Sequence, residues 1–134
     1  MILRYMLDTN ICIYTIKNNP AAVREKFGRH QHHLCISSIV LSELLYGAEK
    51  SANPEKSLAI VEGLAARLEV QDFDDTAAAH AADIRAALAK KGTPIGHYDV
   101  LIAGHARSRG LVLVSNNMRE FERVDGLLLE NWAE

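Results

Sequence analysis

Apolar residues gather in five short runs along this chain, Ile2 to Leu7, Leu34 to Ser37, Leu68 to Phe73, Leu111 to Ser115 and Leu127 to Leu129, all rich in Ile, Val and Leu. Between these runs the apolar positions recur every three or four residues, the spacing of a helix with one buried face. In NPEKSLAIVEGLAARL, Asn53 predicts an N-cap with Pro54 at the first helical position, and Leu58, Val61, Ala65 and Leu68 share a face. Asn19-Pro20 predicts a second helix by the same device, with Val23 and Phe27 one turn apart and Gly28 as its stop. Thr76 to Lys91 reads as an alanine-rich third helix, closed by two lysines and Gly92 where positive charge suits the helix dipole. Strands that alternate with helices of this length require crossover connections. The pattern therefore predicts an α/β fold in which a mostly parallel central sheet is covered on both faces, in one domain over residues 1–134.

In such a sheet the loops at the carboxyl ends of the strands share one rim, and ligands bind there. The first run ends in Asp8, the second in Ser37-Ser38 and the fourth in Ser115-Asn116-Asn117, so each strand hands a polar group to that rim. Glu43 lies in SSIVLSELLYGAEK, a helix capped by Ser37 or Ser38, off the face made by Val40, Leu41, Leu44, Leu45 and Ala48. Gly47, one turn later, would leave open space beside it. Asp99 follows a Gly-Pro-Gly loop and opens the helix Val100 to Ala106.

Each acid also has a plain structural reading: Asp8 as an Asx turn or helix cap, Asp99 as a dipole complement, Glu43 as a solvated surface residue. Taken together, three carboxylates at converging junctions would repel one another unless a cation lay among them. Hard oxygen donors suit Mg²⁺ or Mn²⁺. An ion held by Asp8, Glu43 and Asp99 could activate water against a phosphodiester and neutralise the charge that develops on it.

Composition narrows the partners. The chain has 15 basic and 17 acidic residues for a net charge of -2, so no broad positive field draws in nucleic acid and any such contact must be local. Cys12 and Cys35 sit in apolar surroundings without a CxxC pair, which predicts buried, reduced thiols. No stretch approaches the roughly 18 apolar residues of a membrane span, and a cytoplasmic protein is expected.

Four segments, MLDTN, SSIVLSELLYGAEKS, PIGHYDVLIAGHARSRG and LVLVSNNMREFERV, resemble the PIN-domain nucleases, and within them the VapC toxins of type II toxin-antitoxin modules. The resemblance runs nearly end to end. It implies a three-layer α/β/α sandwich, metal-dependent endoribonuclease activity, homodimerisation and inhibition by a VapB-like antitoxin in the active-site groove. It carries Asp8, Glu43 and Asp99 over as an acidic triad and metal ligands. The position of Asn117 is acidic in some relatives. This puts a second metal site in question, with Asn117 ranked ahead of Glu120 as the group that contributes there. Ser115 stands where threonine is common, and Thr9 is expected to fix Asp8 or a water. Similarity to one branch further implies initiator tRNA, cut in its anticodon stem-loop, as substrate.

Other features are read plainly. His30, His32 and His33 form a solvated loop, and His97 and His105 flank the Asp99 helix. Lys90, Lys91, Arg107, Arg109, Arg119 and Arg123 are phosphate contacts or ordinary helix ends. No exposed aromatic platform is expected. Apolar surplus around Ile11 to Ile16 and Leu44-Leu45 suits a dimer or antitoxin groove. The rivals are a phosphatase, which would want a second Asp at Asn10, a receiver domain, and a catalytically inactive PIN-fold interaction module.

Overall fold

The computed structural model describes residues 2–133; Met1 and Glu134, the two ends of the expected domain, lie outside them. Five strands, β1 (Tyr5–Leu7), β2 (Leu34–Ser37), β3 (Glu69–Gln71), β4 (Val112–Val114) and β5 (Leu128–Glu130), form one sheet in the order β3-β2-β1-β4-β5. Every neighbouring pair is parallel. The expectation of a mostly parallel sheet thus becomes an entirely parallel one among the described residues. Met6 sits opposite Cys35 on one side and Leu113 on the other, so the central strand is buried throughout.

Seven helices flank the sheet: α1 (Thr9–Lys17), α2 (Ala21–Arg29), α3 (Ser38–Glu49), α4 (Pro54–Ala65), α5 (Asp75–Lys90), α6 (His97–Arg109) and α7 (Met118–Phe121). The core is continuous from Met6, Leu7, Ile36 and Leu113 in the sheet to Ile11, Leu64, Ile102 and Trp132 around it. Both thiols are buried, and burial raises Cys12 well above the usual range and Cys35 to about 12. No described helix is long and apolar enough to cross a membrane.

Several local expectations are corrected. Asn19 does not cap α2: Pro20 is the N-cap residue, while the Asn19 amide donates to the Tyr14 carbonyl and helps close α1. Gly28 does not stop α2, which continues through Arg29, because the left-handed conformation that makes glycine a terminator is not adopted there. In α4 the buried face is Val61 and Leu64, since Leu68 lies past the helix end. The helix of Asp99 begins three residues earlier than expected, at His97, and ends on Gly110 at φ +65°. The histidine loop is not wholly solvated: Gln31–His33 make a single 3₁₀ turn, and the His30 ring packs 4.8 Å from Tyr5 and 5.5 Å from Trp132.

Candidate active site

Asp8 follows β1 directly and serves as the N-cap of α1, its Oδ1 accepting from the Ile11 amide at 2.9 Å. Its own amide donates to the Val114 carbonyl at 3.1 Å, which ties the residue to the end of β4. The cap reading is therefore correct, and it leaves the second carboxylate oxygen for other work. Burial raises the Asp8 pKa; the Ser115 hydroxyl and the Ile11 amide oppose that rise, and the charge of Glu43 adds to it.

Glu43 reaches the same rim from the middle of α3, whose N-cap is Ser37. Its Oε1 accepts from the Thr9 hydroxyl at 3.0 Å. This corrects one of the two roles expected of Thr9, that of fixing Asp8: as the first residue of α1 it turns toward α3 and donates to Glu43.

Asp99 lies in the first turn of α6, packed so closely over the preceding turn that a Cβ on Gly96 would sit 3.3 Å from its Oδ2. Its pKa is pushed up to about 6, first by burial, then by a hydrogen bond with Glu120, and then by the negative charges of Glu120, Asp8 and Glu43. Four acids from β1, α3, α6 and α7 thus act on one another electrostatically. Among the described residues no three carboxylate, imidazole or thiol groups close into a finished ion cage.

The β4–α7 turn supplies the rest. Ser115 is fully buried and its hydroxyl accepts from the Asn117 amide at 2.9 Å. The Asn117 side chain lies between acids, with Nδ2 donating to Glu120 Oε2 at 3.0 Å and toward Asp99 Oδ2 at 3.5 Å. The ranking of Asn117 ahead of Glu120 does not describe this geometry, because Asn117 bridges and Glu120 brings the charge. The one-turn helix α7, absent from the apolar pattern because it is so short, is what turns Glu120 inward.

Other residues separate from the site. His105 is fully buried, its Nδ1 2.8 Å from the Ser37 hydroxyl and its ring edge-on to Phe73. It pins α6 to the end of β2, and burial lowers its pKa. Lys91 pairs with Asp125, Arg107 with His80, Asp83 and the Asp125 carbonyl, Arg109 with Asp74, and Arg123 with the Pro94 carbonyl. Arg119 stays exposed beside Glu120. No exposed aromatic platform was expected; Tyr46 and Tyr98 are 66% and 57% exposed. The apolar surplus of α1 is also placed: Ile13 and Ile16, with Ile60 and Gly47, line a groove of about 410 Å³ that ends at Thr9 and Glu43. A Cβ on Gly47 would meet nothing within 4 Å, as its open surroundings require.

The strand order β3-β2-β1-β4-β5 differs from the 2-1-3-4-5 order of receiver domains, which removes that rival. Residues 5–127 match the PIN domain model. The tRNA(fMet)-specific endonuclease VapC of Shigella flexneri is 60% identical over 131 residues, spanning 98% of this chain and 99% of that protein. The chain belongs to the VapC family of PIN-domain ribonucleases. Ribonuclease VapC2 of Haemophilus influenzae is 51% identical over the same share of both chains. VapC in the DNA-bound VapBC complex of Salmonella typhimurium superposes with a TM-score of 0.93 at 61% identity, over 97% of this chain and 98% of that one. Membership in the VapC family also sets aside the phosphatase reading, in keeping with Asn10 where a phosphatase would carry its second aspartate.

Proposed function

We propose that this protein is the toxin of a toxin-antitoxin module, a cytoplasmic, homodimeric, divalent-metal-dependent endoribonuclease that hydrolyses initiator tRNA in its anticodon stem-loop. The observation that carries the metal-dependent chemistry is the gathering of acids about Asp99: Asn117 Nδ2 stands 3.0 Å from Glu120 and 3.5 Å from Asp99, and the charges of Asp8 and Glu43 also act on Asp99. The substrate follows from the 60% identity to an endonuclease named for tRNA(fMet). The VapB-like antitoxin follows from the likeness to VapBC complexes, and the groove that ends at Glu43 is its seat.

The donor set fits a hard cation: carboxylate oxygens with an amide, a hydroxyl and no soft ligand. Asp8, Asp99 and Glu43 would hold Mg²⁺, or Mn²⁺ in its place, with Glu120 and Asn117 adjoining. The ion, when bound, supplies water activation and charge neutralisation at the phosphodiester. The chain supplies orientation. Asp8 is fixed by the Ile11 amide at the rigid end of β1, Glu43 is aimed by Thr9, and Asn117 keeps Glu120 against Asp99.

Purified protein incubated with initiator tRNA should cut it in Mg²⁺ and leave it whole in excess chelator. Asp8→Asn and Asp99→Asn should abolish the cut while circular dichroism stays unchanged. Equal cleavage in chelator contradicts the metal mechanism, and intact RNA under all conditions contradicts the enzymatic reading in favour of an interaction module.

A further inference from the structure

An acidic site has to hold a polyanion; of the cations singled out above, Arg119 is exposed beside Glu120, and four others are engaged away from the site. Lys91, Arg107, Arg109 and Arg123 are bound to Asp125, Asp83, Asp74 and the Pro94 carbonyl, and the net charge of -2 offers no compensating field. Beyond the ion and Arg119, coulombic attraction to phosphate therefore has few contributors there. Contact with the bases has to supply the rest, and bases offer aromatic faces.

Two large aromatic side chains stand out from the surface, Tyr46 and Tyr98. The Lys50 ammonium lies 4.9 Å from the Tyr46 ring centre and occupies that ring. Tyr98 is different. Among the described residues its ring has no aromatic or cationic neighbour and its hydroxyl has no hydrogen-bond partner. At 57% exposure its ring is open to solvent. It is the second residue of α6, held in a regular turn, and it immediately precedes Asp99.

We infer that Tyr98 is a substrate-contacting residue, the platform on which a base flanking the scissile phosphate stacks. The inference rests on the ribonuclease reading above and adds to it the residue that positions the nucleotide. Stacking is tolerant of base identity, so Tyr98 fixes where the strand lies more than which base it presents.

The test is a cycle between protein and RNA, with Asp8→Asn present throughout so that the RNA survives. Binding of initiator tRNA is measured by fluorescence anisotropy for the Tyr98, Tyr98→Phe and Tyr98→Ala forms. It is then repeated with RNAs made abasic at each nucleotide flanking the mapped cut. Tyr98→Ala should weaken binding roughly 5- to 100-fold and Tyr98→Phe by less than about twofold. With one of the abasic RNAs, Tyr98 and Tyr98→Ala should bind alike, and the sedimentation profile of the protein should not change. Equal binding by Tyr98→Ala to intact RNA overturns the inference, as does a loss that persists with every abasic RNA or an altered oligomeric state. If the protein with Tyr98 and Asp8 intact neither binds nor cuts RNA, the ribonuclease reading fails as well; if it does both and only the cycle is flat, this inference alone fails.

Discussion

The Thr9 hydroxyl donates to the Glu43 carboxylate across 3.0 Å, joining the first residue of α1 to the middle of α3. Without it Glu43 keeps its charge but loses the contact that aims it. A hydrogen bond to a charged group contributes about 1.5–3 kcal/mol. Thr9→Val should therefore lower kcat for RNA cleavage by about tenfold or more, while Thr9→Ser retains most activity. Steady-state kinetics on the two variants, with unchanged thermal melting, checks this.

Gly96 is the residue on which Asp99 folds back. Its φ of −57° suits any amino acid, so Gly96→Ala carries no backbone strain, but the added Cβ would stand 3.3 Å from Asp99 Oδ2. The carboxylate must move by a few tenths of an ångström. We expect a folded protein with little change in stability and activity reduced about tenfold or more, since small misplacement of a site residue is costly.

Two helical glycines should respond in opposite ways to alanine. A Cβ on Gly104 would fall 2.5 Å from the Ala81 amide nitrogen, where α5 and α6 pack backbone to backbone. Gly104→Ala should destabilise the protein by about 1–3 kcal/mol. Gly47→Ala meets nothing within 4 Å and gains helix propensity, so it should stabilise by about 0.5–1 kcal/mol. Urea denaturation of both variants distinguishes the signs.

Asp99 titrates at about 6 in the folded chain against an ordinary 3.8. The native state holds this proton more tightly than the unfolded state, so its contribution is present at low pH and is lost as pH rises through about 6. In chelator, the Asp99 share of stability should fall as pH rises from about 4, near the unfolded value of 3.8, through about 6, and level off above that. Asp99→Asn should remove that slope and stabilise the metal-free protein at pH 7 by about 1 kcal/mol, once solvent screening at a half-buried site is allowed for. Melting temperature against pH, in chelator, measures it.

The sheet was legible in the sequence because each strand overlaps one of the five runs: β1, β2 and β4 are largely buried and nearly all apolar, whereas the edge strands β3 and β5 are partly exposed and carry fewer apolar residues. The positions of Asp8, Glu43 and Asp99 on one rim followed from that topology. What the pattern hid was direction and short range. Thr9 pointing to α3, Asn117 lying between two acids and Tyr98 facing solvent all depend on side-chain rotamers that hydropathy does not encode. Asn117 was ranked ahead of Glu120 on the family position alone, and α7, at four residues, is too short for a period to show which way Glu120 turns. Gly104 was invisible because its partner, Ala81, lies on another helix.

The account depends most on the four acids acting as one cation site. Electron paramagnetic resonance of Mn²⁺ titrated into the protein and into Asp8→Asn and Asp99→Asn tests it without reference to activity. We predict saturable Mn²⁺ binding by the unsubstituted protein, competed by Mg²⁺ and lost or weakened at least tenfold in both variants, where one ligand charge is missing. Mn²⁺ binding of the same strength in all three proteins would contradict the account.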